Sequence, residues 1–177
     1  MDKIMVNLDD IYPRMSKQLA KLRNEENKKA GIKATYTDND KAQLEMNTQA
    51  FCAEFAFGYW ANLFVDCTIH PRVGGYDFKL HNGKTVDVKH THHKTGYLSV
   101  NTSKSTKRTD IYVLVRGTAP LFEIAGWASA EEVFRDDNIN LKGREPYHKI
   151  EAENLHNPIY LGQNLPDNFR SAKNDKP

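Results

Sequence analysis

The stretch YDFKLHNGKTVDVKHTHH, from Tyr76 to His93, holds two aspartates, Asp77 and Asp87, with Lys89 two positions after the second and a run of histidines directly behind it. Side chains alternate across a strand. In TVDVK, Val86 and Val88 therefore share one face and anchor it to a core, while Asp87 and Lys89 share the other, roughly 7 Å apart along the strand. Asp77 comes from the preceding strand of the same hairpin and can reach that face, depending on register and any bulge. Two carboxylates brought together repel each other, and a divalent cation between them removes the repulsion. Mg2+ takes oxygen ligands, usually one or two carboxylates with water and phosphate oxygens. Asp77 and Asp87 are candidate ligands, and the backbone carbonyl of Val88 is a further one. A metal held there activates water and neutralises a phosphorus centre. A lysine beside it contacts phosphate, orients or deprotonates water, or stabilises developing charge. Two acids and a lysine at such a site specify phosphodiester hydrolysis better than most chemistries. The competing reading is a solvated hairpin face.

The elements that must position these residues follow from periodicity. GGYDFKL and KTVDVKHT, joined across Asn82-Gly83, predict a β-hairpin. Upstream, Leu44, Phe51, Phe55, Tyr59 and Leu63 recur mostly at spacings of four, the core stripe of a long helix that Asp38 can cap. Glu54 lies at the edge of that stripe. An unpaired carboxylate there is costly to bury, so it either meets a cation or reaches a cleft. A first helix is expected between Leu8 and Lys29, with Gly31 as its stop. Downstream, YLSV predicts a short strand, DIYVLVRG a buried one and PLFEIAGWAS another. Ser129 to Glu132 form a capping box opening a short helix to about Phe134. YHKIEAENL reads as a late strand or an irregular piece. Helices, then a meander of strands, then a short helix argue for an α/β or α+β sandwich around one central sheet.

The chain of 177 residues, 39% of them apolar, suits one compact domain, expected over residues 1–165, with 166–177 a mobile tail. No apolar run approaches the ~20 residues that cross a bilayer. The two cysteines, Cys52 and Cys67, lack metal-type spacing. Absence of a secretion signal or disulfide framework leads to an expected cytoplasmic setting. The net charge of +2 hides a basic excess between Lys79 and Arg116, opposed only by Asp87 and Asp110. That excess suits a polyanion.

Glu54, then Gly75-Tyr76-Asp77, then Asp87-Val88-Lys89 together resemble the PD-(D/E)XK nuclease superfamily over about Met46 to Phe134. The resemblance implies an α/β fold: a restriction-endonuclease-like core, about residues 38–135, with a mixed central sheet flanked by helices and an extra N-terminal helix. It implies Mg2+, with Mn2+ as a substitute, held by Asp77 and Asp87, with Glu54 completing the site and Lys89 assisting the attacking water. DNA is the implied substrate. A homodimer is compatible with that family, and small size with a phage origin and a bacterial host cytoplasm. Tyr76 stands where the family has proline, and the second acid is Asp rather than the commoner Glu.

KHTHHK supports a second reading. His90 and His92 would share one face of a continuing strand, with His93 pointing the other way, and two such histidines plus a carboxylate can bind Zn2+. Alternation places His90 and His92 opposite Lys89. As borders of a cleft, His90, His92 and Lys94 are candidate DNA contacts. In NTSKSTKRTD, Ser103, Lys104, Lys107 and Arg108 have the chemistry of phosphate contacts, with Asn101 nearby. Three functions compete: an Mg2+-dependent deoxyribonuclease, a non-cleaving nucleic-acid-binding protein of the same fold, and a zinc-binding interaction protein built on the histidines.

Overall fold

The structure, a computed structural model, describes residues 3–32, 39–70, 75–106, 109–142 and 145–162. The expected tail, the Asp38 cap, Lys107 and Arg108 lie outside the described residues. Helices α1 (Ile11–Lys29) and α2 (Asp40–Ala61) follow a short strand β1 (Ile4–Asn7). Gly31 closes α1 at φ 69°. The Asn39 side chain accepts from the Lys41 and Ala42 N–H groups and starts α2, and Asn62 ends it in the left-handed region. Strands β2 (Phe78–Lys79), β3 (Thr85–Thr91), β4 (Leu98–Asn101), β5 (Ile111–Thr118) and β6 (Leu121–Ser129) follow. The chain continues through α3 (Ala130–Val133), β7 (Ile139–Asn140), β8 (Tyr147–Ile150) and α4 (Pro158–Gly162). The Ser129–Glu132 capping box forms as expected.

The fold is mixed α/β. The central sheet has the order β1-β6-β5-β3-β2, and a second, smaller sheet has the order β4-β8-β7. The expected meander is therefore broken. YLSV leaves the central sheet to become β4 of the second one, so β5 returns beside β3 in parallel. No sequence period distinguishes a strand that pairs with its neighbour from one that crosses to another layer. β1 was not expected either. It pairs with β6 along the edge and buries only Val6 among its residues.

The central sheet lies between two cores. On one face Val86, Val113, Val115 and Phe122 meet Cys52, Ala56 and Phe57 of α2. On the other, Tyr112, Leu114 and Ala128 meet Leu98 and Val100 of the second sheet and Val133 of α3. A register shift in the β5–β6 ladder after Leu114 adds one residue to β6, which changes the face that later β6 residues present. The α2 stripe differs from expectation at its end. Tyr59 is 66% exposed, whereas Phe57 is fully buried. The C-terminal half of α2 is enclosed on several sides, so burial there does not follow a single stripe. Phe57 meets Phe78 edge-on at 5.1 Å between ring centroids and so fixes α2 against the hairpin. Gly58 allows the close return of the chain: an added Cβ would lie 2.8 Å from Val65 Cγ2.

The start of β3 is pinned to β5. Asp110 Oδ2 accepts from both the backbone N–H and the hydroxyl of Thr85 at 2.7 Å, and these bonds hold its carboxyl below the usual range. Asp110 thus sets strand register, with the charge of Lys84 from the basic stretch also favouring its ionised form. Phe57→Ala is expected to cost about 3–5 kcal/mol in denaturant unfolding. Phe64→Ala, at a side chain 88% exposed, is expected to stay within about 0.5 kcal/mol of the parent.

Candidate active site

β2 pairs with only Val86 and Thr85 of β3. Beyond that point the outer edge of β3 has no strand partner among the described residues, and Asp77 takes the place of one. Its N–H donates to the Val86 carbonyl at 2.8 Å, and its Oδ2 accepts from the Val88 N–H at 2.7 Å. The N–H and carbonyl of one strand residue leave towards the same edge, so the Val88 carbonyl is directed to this side as well. Asp77 thus approaches from the sheet edge, not from the face that Asp87 occupies.

Alternation along β3 holds as expected. Val86 and Val88 meet the helix-side core, while Asp87 and Lys89 turn to the other face, in register with Tyr112 and Leu114 of β5. Asp87 is only 4% exposed. Lys89 Nζ donates to Asp87 Oδ1, and Lys104 Nζ lies 3.8 Å from Asp87 Oδ2. Lys104 ends a 3-10 turn, Thr102–Lys104, started by the Asn101 side chain, which accepts from the Ser103 N–H at 2.8 Å. One buried carboxylate is therefore bracketed by two ammonium groups.

Glu54 enters from α2 into the same cleft, a space of about 570 Å³ also lined by Arg23, Asp77, Asp87, Val88, Lys89 and Lys104. Burial holds the Glu54 carboxyl well above the usual range; the charges of Asp77 and Asp87 push the same way, against Arg23 and Lys89. Asp77 is pushed up to about 6, first by burial and then by Asp87, with Lys89 and the Val88 N–H opposing. Burial first, and mutual repulsion second, thus disfavours the ionised forms of Glu54 and Asp77.

Among the described residues, no group of three or more His, Cys, Asp or Glu side chains is placed to hold a metal ion by itself. Mg2+ rarely takes an all-protein cage, and holds one or two carboxylates plus water and phosphate. The half-buried Asp77, the buried Asp87 and an edge carbonyl are oxygen donors of the type such a cation takes. They do not fit zinc through the histidines. β3 ends at Thr91, so alternation does not carry on to His92 and His93, and their rings face each other at 3.9 Å. His90 is bound to the Gly117 carbonyl at 2.8 Å and lies edge-on to Phe122. Burial holds its imidazole below the usual range.

His90, His92, Lys94 and Ser103 are not among the residues lining the cleft. Lys104, expected as a phosphate contact, lines the cleft beside Asp87. Sequence reasoning missed Arg23, Asn24, Asn27 and Asn47, which also line the cleft. Arg23 ties α1 to the segment after α2 through the carbonyls of Asp66 at 2.7 Å and Thr68 at 3.2 Å, with its guanidinium 4.4 Å over the Phe51 ring. The helical spacing of Arg23 and Asn27 was a weak signal that they share one face of α1. No family model, curated protein or solved structure matches the chain.

The raised Asp77 carboxyl fixes the sign of a pH effect. Its unfolded value is 3.8 and its folded value about 6, so the folded chain binds the proton more tightly. Stability then falls as pH rises from about 4 to about 6. Asp77→Asn keeps a side-chain acceptor for Val88 and removes this ionisation. Its unfolding free energy is expected to fall less across that window, as measured by urea titrations at several pH values without divalent ions.

Proposed function

We propose that the protein is a metal-dependent nuclease that hydrolyses phosphodiester bonds, with DNA as its substrate. The observation that carries this reading is the convergence of Glu54, Asp77 and Asp87 with Lys89 and Lys104 in one cleft. Burial and mutual repulsion leave two of these carboxyls raised. Perturbed acids in a cleft are a recurring mark of chemistry. In this reading the core is restriction-endonuclease-like.

Asp77 and Asp87 would hold Mg2+ or Mn2+, with Glu54 and the Val88 carbonyl as further oxygen donors. The ion supplies neutralisation of phosphate charge and activation of water. The chain's own residues do the rest. Lys89 holds Asp87 in place and presents an ammonium that orients water and steadies the negative charge of the phosphate in the transition state. Lys104, on the other oxygen of Asp87, gives a second cation for the phosphate. The burial of Asp87, only 4% exposed, strengthens each of its interactions. No membrane-crossing helix is present among the described residues, and the reading places the protein with DNA in a cytoplasm. Pairing of two copies would supply two cuts where both strands are broken.

Purified protein with Mg2+ or Mn2+ is expected to cleave DNA, and chelation is expected to stop it. Asp77→Ala, Asp87→Ala and Lys89→Ala are each expected to lower the rate by about 10²–10⁴-fold while leaving a cooperative unfolding transition. Asp87→Ala cleaving as fast as the parent would show that the site lies elsewhere. Metal-independent binding without cleavage by the parent would favour the non-cleaving alternative.

A further inference from the structure

Gln43, Asn47, Ala50 and Glu54 recur at helical spacing and form one stripe of α2. At about 1.5 Å per residue the stripe runs about 16 Å away from the carboxylates. Asn24 and Asn27 of α1 lie alongside it. Asn24, Asn27 and Asn47 line both the carboxylate cleft and a second groove of about 200 Å³ between α1 and α2, whose lining also includes Gln43. The two spaces thus adjoin, and the wall they share is made of carboxamides.

We infer that this amide-lined groove is a subsite for the unpaired bases of the nucleic-acid strand whose phosphate enters the carboxylate cleft. The inference rests on the phosphodiester reading above and names its substrate class: single strands, overhangs or flaps rather than uninterrupted duplex.

An amide ladder that merely joins two helices would satisfy itself. This one does not. Gln43 Nε2 donates to Asn47 Oδ1 at 2.9 Å, and Asn47 Nδ2 donates to Asn24 Oδ1 at 2.6 Å. Gln43 Oε1 has no partner, in a side chain only 8% exposed. Each primary amide carries two N–H donors and an acceptor oxygen, so the chain of bonds leaves donors as well as this acceptor for a ligand. A buried polar atom without a partner is unfavourable, and a ligand that offers a donor removes the cost.

The groove's charge selects a base over a phosphate. Lys28 is neutralised by Asp40 at 2.7 Å, and the charged lining residues, Lys21 and Lys28 with Glu25 and Asp40, are two of each sign. Neutral amides with mixed donors and acceptors match the edges of nucleobases. In a duplex those pairing edges are occupied and stacked inside, whereas an unpaired strand presents them. On the cleft's lining, Tyr76, 53% exposed beside Asp77, offers a ring on which a neighbouring base can stack.

Fluorescence anisotropy in chelator, at fixed ionic strength, with a short single-stranded oligonucleotide and a blunt duplex of the same sequence tests the subsite. The single strand is expected to bind about ten-fold more tightly than the duplex. Asn47→Leu and Gln43→Leu are each expected to weaken single-strand binding about ten-fold and leave duplex binding unchanged. Equal affinity for the two forms, or unchanged single-strand binding in both variants, overturns the inference. Should Asn47→Leu fail to show a cooperative melt, Gln43→Leu alone decides. Cleavage separates the two levels of the argument. A parent protein that cuts blunt duplex as fast as single strand keeps the proposed function and loses the subsite, and one that cuts neither loses both.

Discussion

Like charges crowd at the open edge of β3. Asp87 sits on the sheet face, Asp77 replaces a strand partner at the edge, and Glu54 descends from α2, so carboxyl groups meet where water is scarce. Left uncompensated, that arrangement is unstable. Lys89 and Lys104 offset part of it through Asp87, and protonation of the raised acids offsets more. The rest of the fold maintains this crowding. The Thr85–Asp110 clamp fixes register, Phe57 against Phe78 fixes the distance from helix to hairpin, and Arg23 fastens α1 to the segment that closes the cleft.

That constraint accounts for the disposition of the basic residues. The excess of lysine and arginine between Lys79 and Arg116 reads in sequence as a surface for a polyanion. In the folded chain Lys89 and Lys104 are turned onto Asp87, and Arg116 is paired with Glu123 at 3.0 Å. Part of the excess thus balances internal carboxylates. On the proposed function, a phosphate arriving with a divalent ion would compete for these same ammonium groups.

The catalytic candidates were legible in sequence because strand alternation is local. Asp87 and Lys89 opposite Val86 and Val88 follow from a period of two, and Glu54 beside Phe51 from a period of 3.6. The capping box at Ser129, the Gly83 turn and the buried run of β5 were legible for the same reason. What was not legible depends on long-range pairing. The diversion of β4 to a second sheet and the parallel return of β5 leave no local mark. Nor does the approach of Asp77 from the edge, which depends on β2 being only two residues long. Arg23 and the asparagines of α1 are contributed by a helix far upstream, and their spacing alone fits any solvated helix. For the histidines the end of the strand decides: β3 stops at Thr91, so alternation does not extend to His92 and His93.

Calorimetric titration of Mn2+ into the purified protein near pH 6, in buffers of different ionisation enthalpy, examines the crowded edge itself. The account requires saturable binding with release of protons, because an ion displaces them from the raised carboxyls, and requires that Asp77→Asn combined with Asp87→Asn remove both the binding and the release. Absence of binding by the parent protein, or the same heat and proton release from the double variant, would contradict it.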